Sequence, residues 1–261
     1  MTLPWGAYYC FVAWQSVEQI EPGDTLTHTF EITPWSYCQT KYFAFRGTVA
    51  EVLSPSVSCL FKYHHPGIFI HELTLPVIHN NDEAETLGTT FYSCPTSCPR
   101  NISCGYDREH LYRVNSGMRF RSVELPRDAT ILEAHLIWTC ALPSAASALK
   151  SEICAEQEDN PPDFSGDTYS SFNDRMINHL EAVRYDDPPA WEVDHEYTSL
   201  DISVVIQQLV NRPGWNPGNA MVIFWEDLER RTGTTYTIRR IAWPHNLDPT
   251  KAVKLYIKYE S

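Results

Sequence analysis

The chain has 261 residues, 43% of them apolar and 20% charged, which is enough apolar material for a buried core and more length than one small domain needs. Its formal charge of -13 repels phosphate backbones and excludes nucleic acid as a general partner. Eighteen prolines against 11 glycines, with 14 Tyr, 11 Phe and 8 Trp, favour aromatic-faced strands joined by proline-punctuated loops and leave little room for helix.

The opening stretch, MTLPWGAYYCFVAW, has no basic leader, no small-residue cleavage site and too little apolar length to span a bilayer. The expectation is therefore a chain folded in a cytosol, with no membrane partner. β-like segments at 27–32, 41–53, 58–64 and 69–75, separated by Pro34, Pro55 and Pro66, predict a small N-terminal β-sandwich or assembly domain over 1–78. VIHNNDEAETLG (77–88) is polar and turn-rich and reads as a linker opening a second domain over 79–261.

That linker holds Asp82, Glu83 and Glu85. In an extended chain Glu83 and Glu85 share a face, where carboxylate oxygens suit a structural Ca²⁺. Solvated charge is the competing reading, because calcium takes six or more oxygens and three side chains are at hand. No other cofactor is implied. His64, His65, His71 and His79 lack the fixed spacing of a metal site. In reducing surroundings the eight cysteines read mostly as buried thiols. The cluster SCPTSCPRNISC, with gaps of three and five residues between its cysteines, is too irregular for a zinc signature and leaves metal and disulfide as minor alternatives.

Further strands are predicted at 118–125, 131–140, 149–157, 220–228, 234–242 and 252–259, with loops at 160–167 and 185–191. Asp194, His195 and Glu196 are adjacent, so on a strand they would point to opposite faces, and a solvated loop is the expectation. Five loop aromatics, Tyr169, Phe172, Tyr185, Trp191 and Trp243, could stack on sugar faces or pack into a core or interface.

One helix stands out, DISVVIQQLVNR (201–212). Ile202, Val205, Ile206, Leu209 and Val210 form one apolar stripe, Asp201 is the expected N-cap, and Ser203, Gln207, Gln208 and Asn211 lie opposite. Pro213 forbids continuation, Gly214 permits a reversal and Trp215 can fold back on the helix end. The segment is expected to be a structural lid on a sheet-built core. No G-x-S-x-G, H-E-x-x-H or P-loop pattern occurs, so no catalytic residue is assigned. The enzyme alternative is a glycosidase, whose two acids would stand roughly 5 to 9 Å apart.

Taken together, NDEAETLGTTFYS, GYDREHLYRVNSGMRF, VELPRDATILEAHLIW, NRPGWNPGNAMVIFW and the final LYIKY resemble a β-sandwich module of secreted bacterial proteins and bacteriophage virion proteins, similar to jelly-roll carbohydrate-binding modules, over about residues 80–261. Residues 1–78, with EPGDT ahead of their first strand, faintly resemble the immunoglobulin-like N-terminal domains of phage tail and capsid accessory proteins. The cysteine-rich insert at 94–104 and RYDDPPAWEVDHEY depart from the module. The resemblance implies an all-β chain of two antiparallel sandwich domains, jelly-roll or immunoglobulin-like, with one short helix. It also implies a noncatalytic virion component, a capsid decoration or tail part, that assembles with other virion proteins and with its own copies. A carbohydrate-binding or adhesion module acting outside the cell on surface glycans is the alternative.

Overall fold

The structure is a computed structural model; it describes residues 70–260 except 95–97 and 146–147, and the backbone of four short upstream strands. Those strands are β1 (Phe43–Phe45), β2 (Thr48–Val49), β3 (Val52–Leu53) and β4 (Val57–Cys59), with β1 antiparallel to β4 and β2 to β3. The strand expected at 27–32, and His64 and His65, lie outside the described residues. Contacts divide the chain into Met1–His65 and Pro66–Ser261, so the boundary expected at 78/79 falls earlier.

Among the described residues, the strands of the second unit pair antiparallel in a twelve-stranded sheet that curls on itself. In chain order it runs β5 (Ile70–Pro76), β6 (Glu83–Leu87), β7 (Thr90–Ser93), β8 (Ile102–Asp107), β9 (Tyr112–Phe120), β10 (Thr130–Leu142) and β11 (Glu152–Ala155). It continues with α1 (Tyr169–Ile177), β12 (Ala182–Arg184), β13 (Glu196–Thr198), α2 (Ser203–Val210), β14 (Met221–Glu226), β15 (Ile238–Ala242) and β16 (Lys254–Glu260). β5 explains the early boundary. It pairs along its whole length with β16, from Ile70 opposite Glu260 to Pro76 opposite Lys254.

β10 turns the sheet into two layers. Most of its 13 residues pair with β16 and β13, and its end passes to β15 through a register shift between Cys140 and Leu142. Its alternation supplies the inward row Ala134, Leu136, Trp138 and Cys140. These residues meet Leu255 and Ile257 from one layer and Met118, Ile153, Ile223 and Trp225 from the other in a single core. At its centre Trp138 lies 4.6 Å from Trp225 and 5.9 Å from Trp191, ring centre to ring centre.

A second, smaller core lies on the outer face of the β9–β14 layer, where Phe164, Phe172 and Met176 pack on Ala84, Cys154 and Phe224. The backbone has to come close here. A Cβ on Gly117 would stand 2.8 Å from Phe164 and 2.9 Å from Phe224. Phe172 and Met176 belong to α1, which makes two α-helices among the described residues instead of the one expected. Its start is fixed by a capping box, in which Thr168 Oγ1 accepts from Ser171 N and Ser171 Oγ from Thr168 N.

α2 buries the expected stripe of Ile202, Val205, Ile206, Leu209 and Val210 and packs across β10 and β11. Two details differ from the sequence reading. Ile202 occupies the N-cap position, and Asp201 acts one residue earlier, accepting from Ser203 N at 2.9 Å and from Ala134 N at 3.0 Å. Gly214 is needed for space, since a Cβ there would fall 1.9 Å from Asp159 Oδ2. Asp159 is in turn anchored by Arg212 Nε at 2.6 Å. Trp215 is 1% exposed, joins the main core and donates its indole N–H to Leu125 O at 2.9 Å. Among the described residues no helix is long and apolar enough to cross a membrane.

Candidate functional site

The segment from Trp243 to Lys251, between β15 and β16, gathers polar chemistry at one end of the sandwich. Its backbone is tied down at both ends: Trp243 N donates to Thr139 O at 2.9 Å, and Asp248 caps the 3₁₀ turn Pro249–Lys251 by accepting from Thr250 N. Trp243 is half-buried. Its indole N–H donates to Asp194 Oδ1 at 3.0 Å, and Lys251 Nζ stands 4.9 Å from the ring centre while bonding the same carboxylate at 2.7 Å. The Lys251 ammonium and the indole N–H hold the Asp194 carboxyl below its ordinary range. Asp194 itself sits at φ 65°, a left-handed position that Asp tolerates better than most residues. An oriented indole beside a carboxylate and an ammonium can offer a stacking plane with hydrogen-bonding groups at its rim. His195 lies next to it on the same exposed turn and pairs with Glu192, while Glu196 opens β13 and pairs with Lys254.

His245 links this segment to the acidic stretch. Its backbone N–H donates to Glu83 Oε2 at 2.7 Å, and its Nδ1 lies 2.7 Å from Asn80 Oδ1. Glu83 and Glu85 are not on a linker. They are in β6, held between β7 and β9 with Glu83 opposite Met118 and Glu85 opposite Ser116, so both point into the sandwich and are buried. Burial pushes both carboxyls up to about 8. Ser103 Oγ donates to Glu85 Oε1, while Glu83 Oε1 and Glu85 Oε2 have no partner.

The calcium set does not fit this geometry as a trio. Asp82 turns to the other side, where Arg119 at 3.0 Å and Arg121 at 2.5 Å hold its carboxylate. Among the described residues no three of His, Cys, Asp and Glu converge as a metal site. His71 stacks on Tyr259, with ring centres 5.0 Å apart, and His79 is exposed.

Three of the five loop aromatics take the core alternative. Trp191 is 1% exposed and stacks on Tyr197 with ring centres 4.8 Å apart; Tyr185 stacks on Trp138; Phe172 is enclosed in the α1 core. A loop can be interior when a buried donor satisfies its carbonyls. Here Arg240, fully buried, donates to Pro188 O at 2.7 Å and to Pro189 O at 2.8 Å. Tyr169, at the solvent side of α1, and Trp243 keep exposed surface.

Among the other buried carboxylates, Glu156 and Asp227 are matched to cations, whereas Glu226 accepts from Leu228 N and burial pushes it up to about 7. Arg175 grips Glu156 at 2.9 Å and Asp167 at 2.5 Å, and Arg113 pairs with Asp227. Sequence spacing could not show these pairs, because their members lie 8 to 114 residues apart. Of the cysteines, Cys94 and Cys98 form a disulfide, while Cys104, Cys140 and Cys154 are buried thiols whose ionisation burial suppresses. Cys10, Cys38 and the Cys59 side chain lie outside the described residues.

No family model and no curated protein matches the chain. The chain is similar to a solved structure of Mud crab tombus-like virus, determined by cryo-EM at 3.3 Å, over 95% of this chain and 94% of that one, at 6% identity and a TM-score of 0.28. A superposition that loose carries no argument about this chain.

Proposed function

We propose that the chain is a noncatalytic structural or accessory component of a virion, a capsid decoration or tail part, that works by protein–protein assembly. The observation that carries this reading is where the charged chemistry of the described sandwich points. Asp82, Glu156 and Asp227 are spent on arginine pairs within the fold, and the lid from Asp201 to Trp215 is packed onto the core. Large apolar side chains stand at the surface instead, with Leu180 75% and Tyr236 73% exposed. Aromatic side chains such as Tyr236 are enriched at protein contacts. The resemblance of residues 80–261 to modules found in bacteriophage virion proteins points the same way.

The Trp243 cluster favours one second reading, a carbohydrate-binding module contacting cell-surface glycan outside the cell. The test combines a native mass measurement of the whole chain with glycan-array binding. Assembly predicts a stable symmetric oligomer and no glycan signal. A monomer that binds glycan, and loses about tenfold or more in affinity on Trp243→Ala while keeping its thermal midpoint, would overturn assembly in favour of the glycan reading.

A further inference from the structure

Strand β5 ends the sheet among the described residues. Among the described residues its one neighbour is β16, and at seven residues it is longer than the other edge strands, β7, β12 and β13, which have four, three and three. Exposed edges invite pairing with another chain, and short edge strands are one way of avoiding it. β5 is not shortened.

The phase of its ladder is fixed. Val77 N donates to Val253 O at 2.9 Å, opposite in the register that places Pro76 against Lys254. Backbone groups alternate sides along an antiparallel strand, so residues 71, 73 and 75 bond β16. The N–H groups of Ile70, Glu72 and Thr74, and the carbonyls of these three and Pro76, then face outward. Pro76, which has no N–H, falls at an outward position where β16 loses nothing. Ile70, Glu72, Thr74 and Pro76 are all exposed.

We propose that the chain pairs with a second copy of itself through β5, antiparallel about a two-fold axis at Leu73, joining two sheets edge to edge. The sequence IHELTLP selects this register. Continuity of both sheet faces requires a two-fold centred on a residue, because side chains directly opposite each other share a face. Centred on Glu72, the strands place Glu opposite Glu, a like-charge pair that opposes association. Centred on Thr74, they pair five residues and leave Ile70 and His71 unmatched. Centred on Leu73, all seven pair: Ile70 meets Pro76, His71 meets Leu75, Glu72 meets Thr74 and Leu73 meets Leu73, with no like charges opposed. A two-fold contact also closes, as dimers of identical chains usually do. The inference rests on the assembly reading above, for which it names a partner and a surface.

The register is tested by charge at position 74, using the full chain in sedimentation equilibrium. Thr74→Glu sets a carboxylate opposite Glu72 of the other copy twice in the dimer and should raise the dissociation constant by up to about thirtyfold. Thr74→Lys sets an ammonium there and should lower it by a similar factor. Thr74 is exposed and its amide faces away from β16, so both variants should keep the wild-type thermal midpoint when melted at concentrations low enough that the chain is monomeric. Opposite shifts from Glu and Lys support the pairing. Self-association indifferent to both variants overturns β5 pairing and leaves assembly through another surface standing. A wild-type chain that is monomeric at every concentration overturns this pairing, while the native mass and glycan experiments decide the assembly reading separately.

Discussion

Replacing Trp215 by alanine should destabilise the second unit by about 3–5 kcal/mol, the range for emptying a large aromatic site in a core. The indole is fully enclosed, and its loss also leaves Leu125 O without its donor. For a unit of this size the thermal midpoint should fall by roughly 10 °C. Trp243→Ala is the internal comparison, because Trp243 is half-buried and touches surface groups, and it should cost about 1 kcal/mol or less. A fall for Trp215 no larger than that for Trp243 would mean that the Pro213–Trp215 turn lies against the sandwich without closing it. The measurement is a pair of melting curves at one pH.

The second large effect is a dependence on pH. Glu83 and Glu85 have carboxyls raised by burial to about 8, and Glu226 to about 7. Between the ordinary carboxylate range near 4.5 and those values the folded chain holds protons that the unfolded chain has released. Stability should therefore decline as pH rises from about 5 to 8 and level off above, reversing the usual direction for paired carboxylates. Each group contributes up to about 1.4 kcal/mol per pH unit across its window. Glu83→Gln/Glu85→Gln imitates the protonated pair. It should flatten the slope and melt several degrees above wild type at pH 8, with little difference at pH 5. Equal melting shifts at both pH values would show that the two carboxyls are already ionised within the fold.

The elements that sequence made visible are those whose burial follows one simple period. The α2 stripe and the inward row of β10 are both apolar on one side, and both lie close to where their patterns place them. β6 was illegible for the opposite reason. In EAETL the inward residues at 83 and 85 are carboxylates, so the alternation is real but inverted, and it reads as a polar linker. α1 was missed because Phe172 and Met176 are its only buried side chains, although the capping pair Thr168 and Ser171 was present in the sequence. Sequence left the loop aromatics open between surface and core, because Trp191 and Tyr185 are drawn inward by a loop that Arg240 anchors from 49 to 55 residues away, a contact no local pattern encodes. Trp243 kept its surface because its segment is held by Asp194 and Lys251 at the sandwich end.

Residues 202–215 contribute Ile202, Val205, Ile206, Leu209, Val210 and Trp215 to the main core, and the proposed assembly role requires that they seal it. Amide hydrogen exchange of the intact chain tests this most directly. Ile206 N, bonded to Ile202 O, and Asn211 N, bonded to Gln207 O, should open only with free energies close to that of β10 and β14, because helix and sheet share one core. Exchange of these amides as fast as that of the exposed loop at residues 233–236, with β10 and β14 still protected, would contradict the sealed interior and reopen the case for a reactive cleft beneath the helix.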